Sequence, residues 1–295
     1  MFAETKLFIC VLIVSTLPVI IFQDIYYKNY YNQFYLVLLP LLWPGLAHGS
    51  LDLKIAKRLK FINNKKTLLL FFFVYIFLAF ITILFWLFSP NLFILCFLTI
   101  SIFHFGLSDS IILINRKIEK IEILIRGLIP IVFPIYFYAP EITFIFSVLR
   151  VDESFTQKIN LINTQLFYGL LLITLFSFYK YYKTKISKKF FFNYFYEILF
   201  IMFCFTFFEP LISFSIYFCF LHSLRHLFFE KNILKLNYID LFKETLPITL
   251  FTIILIMLFY FIVLKTTFDY SFLPLIFVSL ASLTVPHMIL VSFSK

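Results

Sequence analysis

The sequence predicts an all-α protein, a polytopic membrane helix bundle of about ten transmembrane helices with a metal site between inward-running helices. Three observations predict it. Of the 295 residues, 62% are hydrophobic and only 14% charged, with a mean hydropathy of +1.00, whereas soluble chains average about 25% charged residues. Apolar runs such as residues 67–88, 91–108 and 272–293 match the ~20 residues needed to cross ~30 Å of hydrocarbon. All five histidines fall inside such runs rather than in the segments that join them.

Apolar runs separated by charged breaks give the spans in order: 7–22, 34–53, 67–88, 91–114, 121–138, 164–180, 190–208, 210–229, 246–264 and 271–293. The first is read as a retained span, because Gln23, Asp24, Ile25 and Tyr26 follow it in place of a small-x-small cleavage site. Pro130 and Pro134 are expected to kink the fifth span, and only Glu209 and Pro210 separate the seventh from the eighth. Residues 150–165 read as a short polar outer loop. Residues 1–295 are read as one integral membrane domain, with 1–33 as an added N-terminal span. Cys10, Cys96, Cys204 and Cys219 lie in apolar runs without metal-type spacing and read as small packing residues.

Charge placement orients these spans. With the N-terminus cytoplasmic, 21 of the 25 basic residues fall on the cytoplasmic side, leaving Lys28, Arg150, Lys158 and Lys265 outside. That is the segregation expected of an inner-membrane, multi-pass protein with both termini cytoplasmic. Topology and contact with the lipid bilayer therefore account for the net charge of +10, and no nucleic-acid partner is expected.

His48 falls in the second span, His104 in the fourth, His222 and His226 in the eighth and His287 in the tenth. All these spans run inward, and each histidine lies ~18–24 Å below the outer surface at ~1.5 Å per residue. A lone membrane histidine is most simply a hydrogen bond between helices. Five at one depth call for a shared polar or metal-filled centre, because burying imidazole in lipid is costly. His222 and His226, four apart, project from one helix face, and Arg225 between them is expected to snorkel to the interface. Asp52 follows His48 by four and Asp109 follows His104 by five. Both are candidates for the carboxylate that takes the second N–H of a ligating imidazole, or for the rim of the site. Glu230 reads as a solvated helix end. Gly45, Gly49 and Gly106 beside these histidines suggest close helix approach. Imidazole without thiolate suits Fe(2+), Zn or Cu, and the aromatic-rich surroundings favour an apolar substrate and oxygen chemistry.

Four collinear stretches carry a family resemblance. Residues 43–52 (WPGLAHGSLD), 103–109 (FHFGLSD), 217–226 (YFCFLHSLRH) and 283–291 (LTVPHMILV) resemble the histidine motifs of the Brp/Blh membrane β-carotene 15,15′-oxygenases. The order and separations agree over about residues 40–293. The resemblance implies cleavage of the central double bond of β-carotene by O2 to give two retinal molecules. It further implies non-haem Fe(2+) held by His48, His104, His222 and His226, with His287 as a second-shell or channel residue beside Asp52 and Asp109. A retinal-binding rhodopsin is the partner that the family suggests. Ser50 and Leu224 depart from the usual pattern without touching a proposed ligand.

Two other classes compete on the residues alone. A bis-histidine haem electron-transfer protein predicts paired histidines on facing helices and a Soret band. A transporter predicts ionisable groups through the full membrane depth, and the outer halves of these spans hold few. A membrane desaturase would carry many more histidines in clustered boxes.

Overall fold

A computed structural model of the chain describes residues 2–22, 30–114, 117–184, 186–264 and 272–293. In chain order its helices are α1 (Ala3–Ile21), α2 (Tyr30–Pro40), α3 (Asp52–Arg58), α4 (Lys65–Phe88), α5 (Pro90–Asp109), α6 (Lys120–Phe137) and α7 (Ala139–Val148). They continue with α8 (Glu153–Lys183), α9 (Lys188–Phe207), α10 (Pro210–Tyr217), α11 (Leu224–Ile233), α12 (Tyr238–Phe259) and α13 (Phe272–Ser292). Among the described residues, 9 helical stretches are long and apolar enough to cross a membrane, and α6 with α7 adds a tenth if that bent pair is one span. The result is a helical, multi-pass membrane protein. Lys28, Arg116, Lys185, Lys265 and Lys295 of the charge pattern lie outside the described residues.

Several elements depart from the expected spans, each for a local reason. The fifth is not one rod: α6 and α7 meet at a 102° bend. The bend falls after both Pro130 and Pro134, at Tyr138, whose N–H still bonds the Pro134 carbonyl. Pro140 then has no N–H with which to continue the ladder. The fourth span stops at Asp109 rather than running to 114. There the Glu122 carboxylate accepts the Ile111 and Ile112 N–H groups at 3.0 and 2.7 Å, and a two-residue antiparallel hairpin pairs Leu113–Ile114 (β1) with Lys117–Ile118 (β2). Residues 153–165, expected in a loop, form the first turns of α8. Among their polar side chains, Asn163 finds a partner on a neighbouring helix, its Nδ2 donating to the Val132 carbonyl of α6 at 3.0 Å. α4 begins on a capping box, in which Asn64 Oδ1 accepts the Thr67 N–H and Thr67 Oγ1 accepts that of Asn64.

The chain divides into two compact units, each assembled from separated stretches. The first comprises Met1–Gly45, Leu98–Phe144 and Glu153–His226. In it α6 packs against α8 and α9, and α1 packs against α9, α10 and the wide turn Phe218–Ser223 that joins α10 to α11. α5 and α6 cross closely at two glycines. A Cβ on Gly106 would overlap the Ile123 carbonyl, and one on Gly127 would overlap the Ile102 carbonyl. Gly45 lies against Cys219 and Phe218. The second unit comprises Leu46–Phe97, Ile145–Asp152 and Leu227–Lys295. Here α13 packs on α4 and α3, and α12 packs on the tight turn Leu46–Leu51. Ile55, Ala56, Leu290 and Val291 form its packed centre. Gly49 faces open space, so close helix approach accounts for Gly45 and Gly106 but not for Gly49.

Glu209, in the joint between α9 and α10, accepts a hydrogen bond from Gln33 Nε2. Burial, reinforced by the nearby Glu141 carboxylate and opposed by the Gln33 bond, pushes its carboxyl up to about 7. The folded chain thus holds this proton more tightly than the unfolded chain does. Stability from this group is full below the ordinary value of 4.5 and is lost as pH rises through about 7. The melting temperature in detergent should therefore fall between about pH 5 and pH 8, and Glu209→Gln should flatten that slope. At the helix crossing, Gly127→Ala should cost about 1–3 kcal/mol by overpacking, read by denaturation of the purified protein.

Candidate metal centre

Two of the five histidines are presented from backbone outside regular α-helix. His48 sits in the tight turn Leu46–Leu51, after Trp43 has left helical geometry at φ −151° and ψ 122°. His222 sits in the wide turn Phe218–Ser223, a kind of insertion frequent at functional sites. His104 lies in α5 and His287 in α13, one residue after Pro286. His48, His104, His222 and His287 are all buried, while His226, one turn beyond His222 in α11, is half-buried.

In the first unit the Nε2 atoms of His104 and His222 are 3.1 Å apart, with ring centroids at 4.8 Å. His222 Nδ1 lies 3.1 Å from Asp109 Oδ1, and the Tyr217 hydroxyl donates to Asp109 Oδ2 at 2.6 Å. Arg225 Nη1 donates to the Asp109 backbone carbonyl at 2.7 Å. Phe105 meets the His222 ring edge-on and Phe218 stacks on it, giving the imidazole apolar walls. In the second unit His287 Nδ1 lies 2.8 and 3.0 Å from the two Asp52 oxygens, and the Tyr75 hydroxyl donates to Asp52 Oδ2 at 2.9 Å. The His48 and His287 rings meet edge to face at 5.0 Å. Each unit therefore holds a Tyr–Asp–His chain: Tyr217–Asp109–His222 in one and Tyr75–Asp52–His287 in the other.

These chains fit a metal. An imidazole that gives Nδ1–H to a carboxylate presents Nε2 as a lone pair, which is how ligating histidines are usually held. Two nitrogens bound to one ion at ~2.1 Å stand about 3.0–3.4 Å apart, and the His104–His222 separation falls in that interval. The charges agree as well. Arg126 and Arg225 are set against Glu122, Glu197 and Asp109 in one buried group, leaving a formal surplus of negative charge that a cation would balance.

The carboxylates serve histidines on other helices, not the neighbours that spacing suggested. Asp109 pairs with His222 rather than His104, and Asp52 with His287 rather than His48. Arg225 does not snorkel: it turns inward to Asp109 and to Glu197, a short hydrogen bond. Glu230 is not a solvated end but is buried and doubly bonded by Arg58 at 2.7 and 3.1 Å. Sequence reading missed Tyr75, Tyr217 and Glu197. Tyr217 lies five residues before His222 and was within reach of a spacing argument, whereas no local pattern marks Tyr75 or Glu197 among 18 tyrosines and 15 acidic residues.

Fold and site together define a multi-pass helical membrane protein with carboxylate-buttressed histidines in its apolar interior. Comparison with known proteins narrows the class. Residues 39–295 match the family described as beta-carotene 15,15′-dioxygenase. A beta-carotene 15,15′-dioxygenase of an uncultured marine bacterium, 66A03, is 30% identical over 264 residues, covering 84% of this chain and 89% of that protein. The chain belongs to the beta-carotene 15,15′-dioxygenase family. No solved structure matches it.

Tyr217→Phe deletes the hydroxyl on Asp109 without changing the ring. It should cost about 1–3 kcal/mol by leaving a buried carboxylate oxygen without its donor, measured against wild type in denaturant.

Proposed function

We propose that the protein cleaves the central 15,15′ double bond of β-carotene with O2, giving two molecules of all-trans-retinal, at an Fe(2+) centre held by His48, His104, His222 and His226. The observation that carries this reading is the chain from Asp109 through His222 to His104, a carboxylate-held imidazole with a second imidazole at 3.1 Å. Family membership and the activity for which the marine relative is named support the substrate and the reaction. Bound Fe(2+) would supply the one-electron chemistry that lets O2 react with an alkene.

The chain's own residues then have separable tasks. Asp109 and Tyr217 keep His222 in the tautomer with its proton on Nδ1. Phe105 and Phe218 keep water from that ring. Asp52 and Tyr75 hold His287 in the same way beside His48, where we place it in the second shell or along the substrate channel. No side-chain acid or base is needed, since the alkene carbons lose no proton in becoming aldehydes. β-Carotene is apolar enough to enter from the bilayer. The basic-residue pattern supports an inner-membrane enzyme with both termini cytoplasmic, and the product suits a retinal-binding rhodopsin as functional partner.

The test is expression in a β-carotene-accumulating bacterium. Wild type should bleach the cells and release retinal on chromatography, and His222→Ala or His226→Ala should stop both. Orange cells despite good expression of wild type would sink the reading. Iron content of purified His287→Ala tests that placement: retained iron keeps His287 beside the metal or along the channel, and complete loss of iron would make it a ligand instead.

A further inference from the structure

Behind Asp109, within the first unit, lies a buried hydrogen-bonded chain that the proposed chemistry does not use. At its centre is Glu197 of α9, fully buried. Its Oε2 accepts from Arg126 Nη1 at 2.7 Å. Its Oε1 accepts from Asn193 Nδ2 at 3.0 Å, from Arg225 Nη2 and from the Thr5 hydroxyl. Arg126 is held a second time by Glu122, Nε to Oε1 at 2.7 Å. Arg225 has its other fork on the Asp109 carbonyl, and its Nε lies 3.6 Å from Glu4 Oε1. Asn193 donates to Thr5 Oγ1 at 3.2 Å and accepts from the Phe2 N–H at 2.8 Å. Two segments thus meet at Glu197: the start of α1 through Thr5, and the His222-bearing segment through Arg225.

We propose that Glu197 is a positioning residue for His222, acting through Arg225 and Asp109, and that α1 completes the device through Thr5. This rests on the metal-centre reading above. Guanidinium is planar and presents its donors in a fixed fork. Fixing Nη2 on Glu197 fixes where Nη1 meets the carbonyl of Asp109, the last residue of α5. The side chain of that same residue carries His222 and Tyr217. Displacement at Glu197 is therefore transmitted to the imidazole through a single rigid group and one residue. α1 adds a second constraint, since it also packs on the wide turn Phe218–Ser223 that carries His222. Bare stabilisation is a poor account of the cluster, because buried ion pairs can often be replaced by apolar packing at no cost. α1 lies wholly before residue 39, where the family match begins. A helix outside the shared region thus tunes a site inside it.

The experiment titrates the purified full-length chain with Co(2+), whose visible absorption bands report ligand geometry, and measures kcat and KM for β-carotene. Glu197→Gln should weaken Co(2+) binding ~10–100-fold, the usual effect of losing an outer-shell partner, with altered bands and a lower kcat at unchanged KM. Thr5→Val should do the same to a smaller degree, and Thr5→Ser should restore wild-type bands. A role in folding alone would lower the melting temperature and leave the bands of the folded fraction unmoved. Wild-type Co(2+) affinity and bands in both Glu197→Gln and Thr5→Val would overturn the positioning role while leaving the metal centre intact. If Glu197→Gln does not fold, the Thr5→Val and Thr5→Ser pair decides. Failure of wild type to bind Co(2+) would overturn the metal-centre reading, and this inference with it.

Discussion

An ionised carboxylate in the interior of a membrane protein must be fully partnered, and Asp109 is where that requirement shapes the first unit. Its side chain takes Tyr217 and His222, and its backbone carbonyl takes Arg225. Those three partners come from α10, the wide turn after it and the start of α11, so one residue at the end of α5 ties three successive segments together. Arg225 in turn requires Glu197, and Glu197 requires Arg126 and α1. Each link exists because the one before it could not be buried alone.

Asp52 meets the same requirement in the second unit with the same chemistry, a tyrosine hydroxyl on one side and a histidine Nδ1 on the other. Its partners arrive from α4, the next helix in the chain, and from α13, 235 residues beyond Asp52. The two Tyr–Asp–His chains share no sequence pattern. They share a solution: hydrogen bonds from a neutral donor and an imidazole satisfy the carboxylate and set which ring nitrogen bears the proton.

Backbone geometry serves this arrangement. His48 and His222 are presented from a tight turn and a wide turn. Irregular backbone at membrane depth is tolerated only where it is buried in protein or lines a cavity. The glycines of α5 and α6 work at the next level. With no Cβ at Gly106 or Gly127, α5 comes close enough to α6 for His104 and Asp109 to be carried on a helix that packs directly against the one bearing Arg126.

Read alone, the sequence was enough for the membrane class, for nearly all the spans and for placing the histidines inside the apolar runs. Those depend on local quantities, namely the length of an apolar run, the position of charged breaks and the rarity of histidine in a chain with 46 phenylalanines. It also singled out Asp52 and Asp109 as carboxylates for imidazole. What it could not determine was the pairing. Asp109 lies five residues from His104 but bonds His222, 113 residues away, and Asp52 bonds His287 at a separation of 235. Spacing along a helix says which side chains share a face, whereas which faces meet depends on how distant segments pack. The same limit applies to Arg225, which looked like an interfacial side chain until Glu197, 28 residues away in α9, supplied the partner that lets it be buried. Ends and bends follow the rule too. α5 stops at Asp109 because Glu122 of the next helix takes the following N–H groups, a contact that no window centred on the helix contains.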